Sequence, residues 1–255
     1  MRIRRLLLVP LAAALALVAT TSGPASATHA WGSYHWARTA NPFTVKLGDN
    51  LSSTWTSYLA DASTDWSKST VLDTTVVAGR TGGRCRPTSG RVEVCNSTYG
   101  NNGWLGVASI WASGSHITQG TVKLNDSYFN TAAYNTSAWR HLVTCQEVGH
   151  TFGLAHQDEN FNNANLGTCM DYTNDPSTNQ HPNAHDYDEL ALIYAHLDST
   201  TTVGAAAPGA SAAGSGNSEA EWGRAVGTSA DGRPDLFVRE LGNDQQVFTF
   251  VVWAG

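Results

Sequence analysis

The chain has 255 residues and is 41% hydrophobic with nine tryptophans, enough for a sizeable core, yet only 14% charged. Its abundance of Gly, Ser, Thr and Asn suits a loop-rich extracellular globular protein better than a cytosolic helical one, and the element patterns after Thr28 read as mixed α and β, an α+β class. Setting aside the three arginines of the first 27 residues leaves 12 basic against 21 acidic residues, a net charge of −9. With no basic stripe, nucleic acid and anionic membranes are excluded as expected partners.

Arg2, Arg4 and Arg5, the apolar run Leu6 to Val18 and the small residues Ala25-Ser26-Ala27 are the three parts of a signal peptide over 1–27. A secreted chain beginning at Thr28 is therefore expected. The apolar run is too short for a stable membrane anchor. Phe43 to Leu47 alternates as a strand and ends in the turn Gly48-Asp49-Asn50. From Ser52 to Trp66, the residues Trp55, Tyr58, Leu59, Ala62 and Trp66 recur at helical spacing, with Ser52 or Ser53 as N-cap. Strands are predicted at Val71 to Val77, Trp104 to Ile110 and Thr121 to Asn125. Helices are predicted at Trp139 to Gly153 and His185 to Leu197, the second with Tyr187, Leu190, Ile193, Tyr194 and Leu197 on one face. The main domain is thus 28–198. The Thr/Ala/Gly/Ser-rich run 199–218 reads as a flexible linker, and 219–255 as a β-hairpin-like tail turning at Gly242-Asn243-Asp244. A lone hairpin is barely stable in water, so the tail should pack on the domain or on something else.

Four cysteines in an exported chain suggest disulfides. Three pairings are possible, and the local ones, Cys85 with Cys95 and Cys145 with Cys169, are favoured. No two cysteines are close enough for a Cys-x-x-Cys metal knuckle.

The stretch Gln146-Glu147-Val148-Gly149-His150-Thr151-Phe152-Gly153-Leu154-Ala155-His156 carries the chemistry. On a helix, Gln146 and His150 share a face with Glu147 beside them. A left-handed turn at Gly153 would end the helix and return His156 to the same point. Three ligands, an open position and a neighbouring carboxylate are what a catalytic zinc needs. The stretch resembles the metzincin metalloprotease signature, His-Glu-x-x-His-x-x-Gly-x-x-His followed by a Met-turn. Glu147, His150, Gly153 and His156 match it, while Gln146 stands where the first histidine is expected. Met170, 14 residues after His156, is the Met-turn candidate, and Tyr172 follows it at the spacing of the astacin and serralysin tyrosine. The resemblance spans about residues 36–198.

It implies a metzincin-like domain with a mixed sheet, an active-site helix and a Met-turn. It also implies a monomeric zinc endopeptidase acting on proteins or peptides. Gln146, His150 and His156 would hold the metal, Glu147 would be the general base, Tyr172 would stabilise the oxyanion, and the strand near Val122 would be an edge that pairs with substrate. An amide oxygen is a weaker, harder donor than imidazole, so zinc affinity should be reduced. The alternative is a catalytically inactive member of the fold serving as an extracellular binding module. No cysteine-switch propeptide is visible, so any latency is expected to come from elsewhere. Asp158 is a candidate to bond a ligand histidine, and Asp126, Asp171 and Asp175 are candidates for a structural calcium. His141 should point away from the metal; His116, His181 and His185 are expected to be structural.

Overall fold

The computed structural model describes residues 28–81, 84–206 and 214–255. The expected signal peptide, 1–27, and the middle of the expected linker, 207–213, lie outside the described residues. In chain order the elements are β1 (His35–Trp36), β2 (Phe43–Asn50), α1 (Thr56–Trp66), β3 (Leu72–Ala78), β4 (Val92–Ser97), β5 (Trp104–Ser113) and β6 (His116–Asn125). They continue with α2 (Asp126–Phe129), α3 (Ser137–His150), α4 (Ala184–Ile193), α5 (Glu219–Trp222), β7 (Arg224–Thr228), β8 (Pro234–Gly242) and β9 (Gln245–Trp253). The class is α+β, as the alternating and helical patterns predict.

The strands form one mixed sheet in the order β3-β2-β4-β6-β5-β9-β8-β7, with β1 beside the start of β6. From β3 to β6 the pairs are parallel. From β6 through β5, β9 and β8 to β7 they are antiparallel. Every residue of β5 except Ser113 is buried. Its unbroken run of apolar and small residues is what a strand covered on both faces requires. β6 is equally buried and lies between β4 and β5. The strand of Val122 is therefore interior, which corrects the expectation that it forms a free edge.

The tail is stitched into this sheet. β9 runs antiparallel along β5 from Trp104 opposite Trp253 to Ser113 opposite Gln245. β8 folds back on β9 through Asn243 and Asp244, at φ 53° and 59°. Asn and Asp tolerate that left-handed conformation in a two-residue hairpin turn. The hairpin gains stability as part of a larger sheet with an apolar face. Both described ends of the Ala/Gly/Ser run are also held. Thr202 N donates to Ala37 O at 2.9 Å and Gly204 N to Gly90 O at 2.8 Å, while Lys123 Nζ donates to Asn217 Oδ1 at 2.9 Å.

All three long helices differ from the sequence reading at their ends; α3 runs from Ser137 to His150 rather than from Trp139 to Gly153. α1 starts at Thr56 without a side-chain cap. Ser52 N is taken by Asn96 Oδ1 at 2.7 Å and Trp55 Nε1 by Asp126 Oδ1 at 2.8 Å, so tertiary bonds hold the predicted first turn out of the helix. Its inward face is nevertheless as read, with Leu59, Ala62 and Trp66 buried. α4 begins with a capping box between Asn183 and Asp186 and stops at Ile193. Beyond it, Asp198 N bonds to Arg38 O and Arg38 N to Asp198 Oδ2, drawing the chain toward β1 and leaving Leu197 58% exposed.

Candidate metal centre

α3 positions the site. Thr136 caps it through a bond from Trp139 N, and from Leu142 to His150 every residue is buried. Trp66 Nε1 donates to Cys145 O at 3.1 Å and Trp31 Nε1 to His150 O at 3.0 Å, fastening both ends of the functional segment. Gly153 then adopts φ +102°, a conformation glycine takes without a Cβ penalty. The reversal returns Leu154 O to His150 Nδ1 at 2.8 Å.

That bond settles the His150 tautomer. A carbonyl only accepts, so Nδ1 carries the proton and Nε2 presents a lone pair. His156 is arranged alike, with Nδ1 3.4 Å from Glu159 Oε1. The two rings lie 4.6 Å apart and nearly perpendicular. Both Nε2 atoms, and both amide atoms of Gln146 one turn before His150, are buried without a hydrogen-bond partner among the described residues. Such orphans are rare because each forfeits its hydration. Two imidazole lone pairs and an amide oxygen that receive no N–H or O–H are the donor set that fits a cation, and their chemistry suits zinc. Burial and the neighbouring His156 hold His150 well below its ordinary pKa, which keeps the ring neutral.

Glu147 sits next to this set, fully buried. Burial drives its pKa well above the usual carboxylate range, opposed by the backbone amides of Val252 and Ala108 that face it. Met170 is fully buried, its Sδ so near α3 that a Cβ on Gly149 would lie 2.7 Å away. The disulfides pair Cys85 with Cys95 and Cys145 with Cys169. The second joins α3 to the segment carrying Met170 and Tyr172. Replacing both Cys145 and Cys169 with serine should lower stability by about 3 kcal/mol, measured by urea unfolding. An unchanged midpoint would show that packing alone holds the two segments.

Tyr172 lies with its ring 4.1 Å from that of His156, but its hydroxyl donates to Asp235 Oδ2 at 2.8 Å. Burial and then the Asp235 charge push its pKa well up. Asp235 is also 4.0 Å from His156 Nδ1. From β9, Phe250 stacks on His150 at 4.1 Å with the planes 11° apart. Residues of the tail thus lie over both histidines and the glutamate. Beside Gln146 and Tyr172 a cavity of about 390 Å³ remains, lined also by Trp139, Phe161 and Val252.

The other candidate residues fall elsewhere. Asp158 does not reach His156: its Oδ1 accepts from Asn160 N, and Glu159 takes the position beside the ring. Asp126 accepts from Trp55 and Asn96, Asp171 from Leu166 and Asn179, and Asp175 from Ser177. These three carboxylates do not assemble into a common group among the described residues, so nothing here supports the calcium expectation. His141 points away to Asp61 and His181 bonds Asp65. Glu159, Asp235 and Phe250 were missed by the sequence reading. The first stands beside Asp158 in an irregular loop, and the other two come from the tail, whose place on β5 no local pattern signals.

No family model and no curated protein matches the chain. Among solved structures, similarity is found to myroilysin at 13% identity and a TM-score of 0.39, covering 66% of this chain and 98% of that one. It is also found to high choriolytic enzyme 1, a hatching-enzyme zinc-protease from the medaka fish Oryzias latipes. There the identity is 13% and the TM-score 0.35, with 65% of this chain and 96% of that one covered.

Proposed function

We propose that this chain is a secreted zinc metalloendopeptidase whose own C-terminal strands hold it closed. The observation that carries the reading is the buried Gln146 amide and the His150 and His156 Nε2 atoms, without hydrogen-bond donors among the described residues, next to the carboxyl of Glu147. A zinc ion held there supplies Lewis-acid polarisation of a carbonyl and an acidified water. Gln146 Oε1 and the two Nε2 atoms are the ligands. Glu147 takes the proton of the attacking water and passes it to the leaving amine. Tyr172, once its hydroxyl leaves Asp235, is placed to stabilise the oxyanion. The substrate is an extended protein or peptide segment added to β5, the strand that would form the sheet edge without β9.

Chelation should abolish cleavage of a mixed peptide library and added zinc should restore it. A chain that takes up no zinc at Gln146 and cuts nothing sinks the proposal. Gln146→His supplies the better imidazole donor and should tighten zinc binding by roughly tenfold or more, measured by competition with a fluorescent chelator. Unchanged affinity would mean that residue 146 does not touch the metal.

The burial of all four chemical side chains beneath the tail favours a second reading, a non-catalytic binding module. Under it, no variant that loosens the tail acquires peptidase activity.

A further inference from the structure

At the start of β1 and the start of β6, remote in sequence from Gln146, three histidines surround one carboxylate oxygen. His35 and His116 are paired in parallel register across these strands, and His196 and Asp198 follow α4. The Nε2 atoms of His35, His116 and His196 lie 3.4, 3.3 and 3.7 Å from the same atom, Asp198 Oδ1. The Nε2 atoms of His35 and His196 are 3.2 Å apart, and their rings meet nearly at right angles.

Proton placement makes this arrangement unusual. His35 Nδ1 lies 2.7 Å from Ser33 O, an acceptor, so the ring proton resides there. A neutral His35 then turns its Nε2 lone pair toward the Asp198 oxygen, whereas a protonated ring would donate to it at 3.4 Å. A proton from His196 would relieve only the contact between the two rings. The other oxygen of Asp198 is already held, receiving Arg38 Nη1 at 2.9 Å and Arg38 N at 3.1 Å. Arg38 therefore fixes the carboxylate with Oδ1 turned to the imidazoles, while Ser33 O fixes the His35 tautomer. Partners of this kind orient metal ligands.

Ligands about 2.0–2.1 Å from a tetrahedral zinc are separated from one another by about 3.3–3.4 Å. The contacts among His35, His196 and Asp198 bracket that spacing.

We propose that His35 Nε2, His196 Nε2 and Asp198 Oδ1 form a second metal site, for zinc or a related divalent transition ion, with His116 bonded to Asp198 beside it. Imidazoles with one carboxylate suit zinc better than calcium or magnesium. The site is read as structural because its ligands join two segments distant in sequence. It clamps β1, near the start of the described chain, to the segment that leaves α4 and leads toward the tail.

The test uses the full chain, stripped with chelator and titrated with cobalt(II) and zinc. His196 is 54% exposed in its side chain, so His196→Ala should fold. It and His35→Ala should each bind one metal equivalent fewer than wild type and lose one component of the cobalt visible spectrum. Zinc at a hundredfold excess over its Kd should raise the wild-type Tm by about 5 °C more than that of His196→Ala. The comparison is independent of Gln146, because His150→Ala should remove the other equivalent and leave this one. If stoichiometry, spectrum and zinc-dependent Tm are the same in His196→Ala, His35→Ala and wild type, the cluster binds protons and not metal, and the proposal is overturned.

Discussion

Replacing Glu147 with glutamine should slow hydrolysis of an extended peptide by about 10²- to 10⁴-fold while leaving zinc uptake unchanged. Glutamine has nearly the shape of glutamate and cannot take a proton from water. The side chain is fully buried, with the backbone amides of Val252 and Ala108 facing it. A glutamine carbonyl oxygen can still accept from an amide there, so a matching thermal melt would attribute the lost rate to chemistry. Wild-type activity that survives in Glu147→Gln would rule Glu147 out as the base. Equal inactivity of wild type and variant, with the tail displaced, would favour the binding-module reading.

Locking β9 onto β5 should have the second large effect. Ser109 and Thr249 face each other across these strands with their hydroxyl oxygens 3.4 Å apart. Cysteines at both positions are placed to form a cross-strand disulfide. If peptides enter by displacing the tail, activity scales with the fraction of molecules whose tail is off. The oxidised Ser109→Cys/Thr249→Cys protein should then cleave roughly tenfold or more slowly than wild type, recovering on mild reduction. Positions 109 and 249 are as buried as the native cysteines, so wild type reduced in parallel is the control for loss of the native disulfides. Asp235→Asn acts in the other direction: it removes the carboxylate charge beside His156 and weakens the grip on Tyr172. Its cleavage rate should rise above that of wild type. Undiminished cleavage by the locked protein would make the tail a permanent wall of a working site.

Much of the candidate site was legible because its spacing is local. Gln146, Glu147 and His150 fall on one stretch of α3, and the turn at Gly153 needs only a glycine three residues on. The inward face of α1 and the buried run of β5 could be read in the same way, since periodicity reports which side of an element meets the core. The ends of α1 and α4 could not. Ser52 is drawn to Asn96 and Asp198 to Arg38, partners distant along the chain. The tail was recognised as β-forming, but strand character does not name the strand it will join. Asp235, 63 residues beyond Tyr172, illustrates the limit: nothing near it in sequence marks it as the acceptor of the Tyr172 hydroxyl.

Gln146 shows the same division. By itself the sequence determined the order Gln146-Glu147-x-x-His150, the glycine that reverses the chain, and the departure from histidine at the first position. These follow from helical geometry and from backbone freedom at Gly153, both of which act over a few residues. Only the tertiary structure decided the rest. It gave both imidazoles the tautomer that frees Nε2, left the Gln146 amide without a donor and laid Phe250 and Asp235 over the site. It also brought His35, His116, His196 and Asp198 together from three parts of the chain. Tautomers and burial depend on which distant groups arrive, and arrival is governed by strand pairing and packing across the whole sheet.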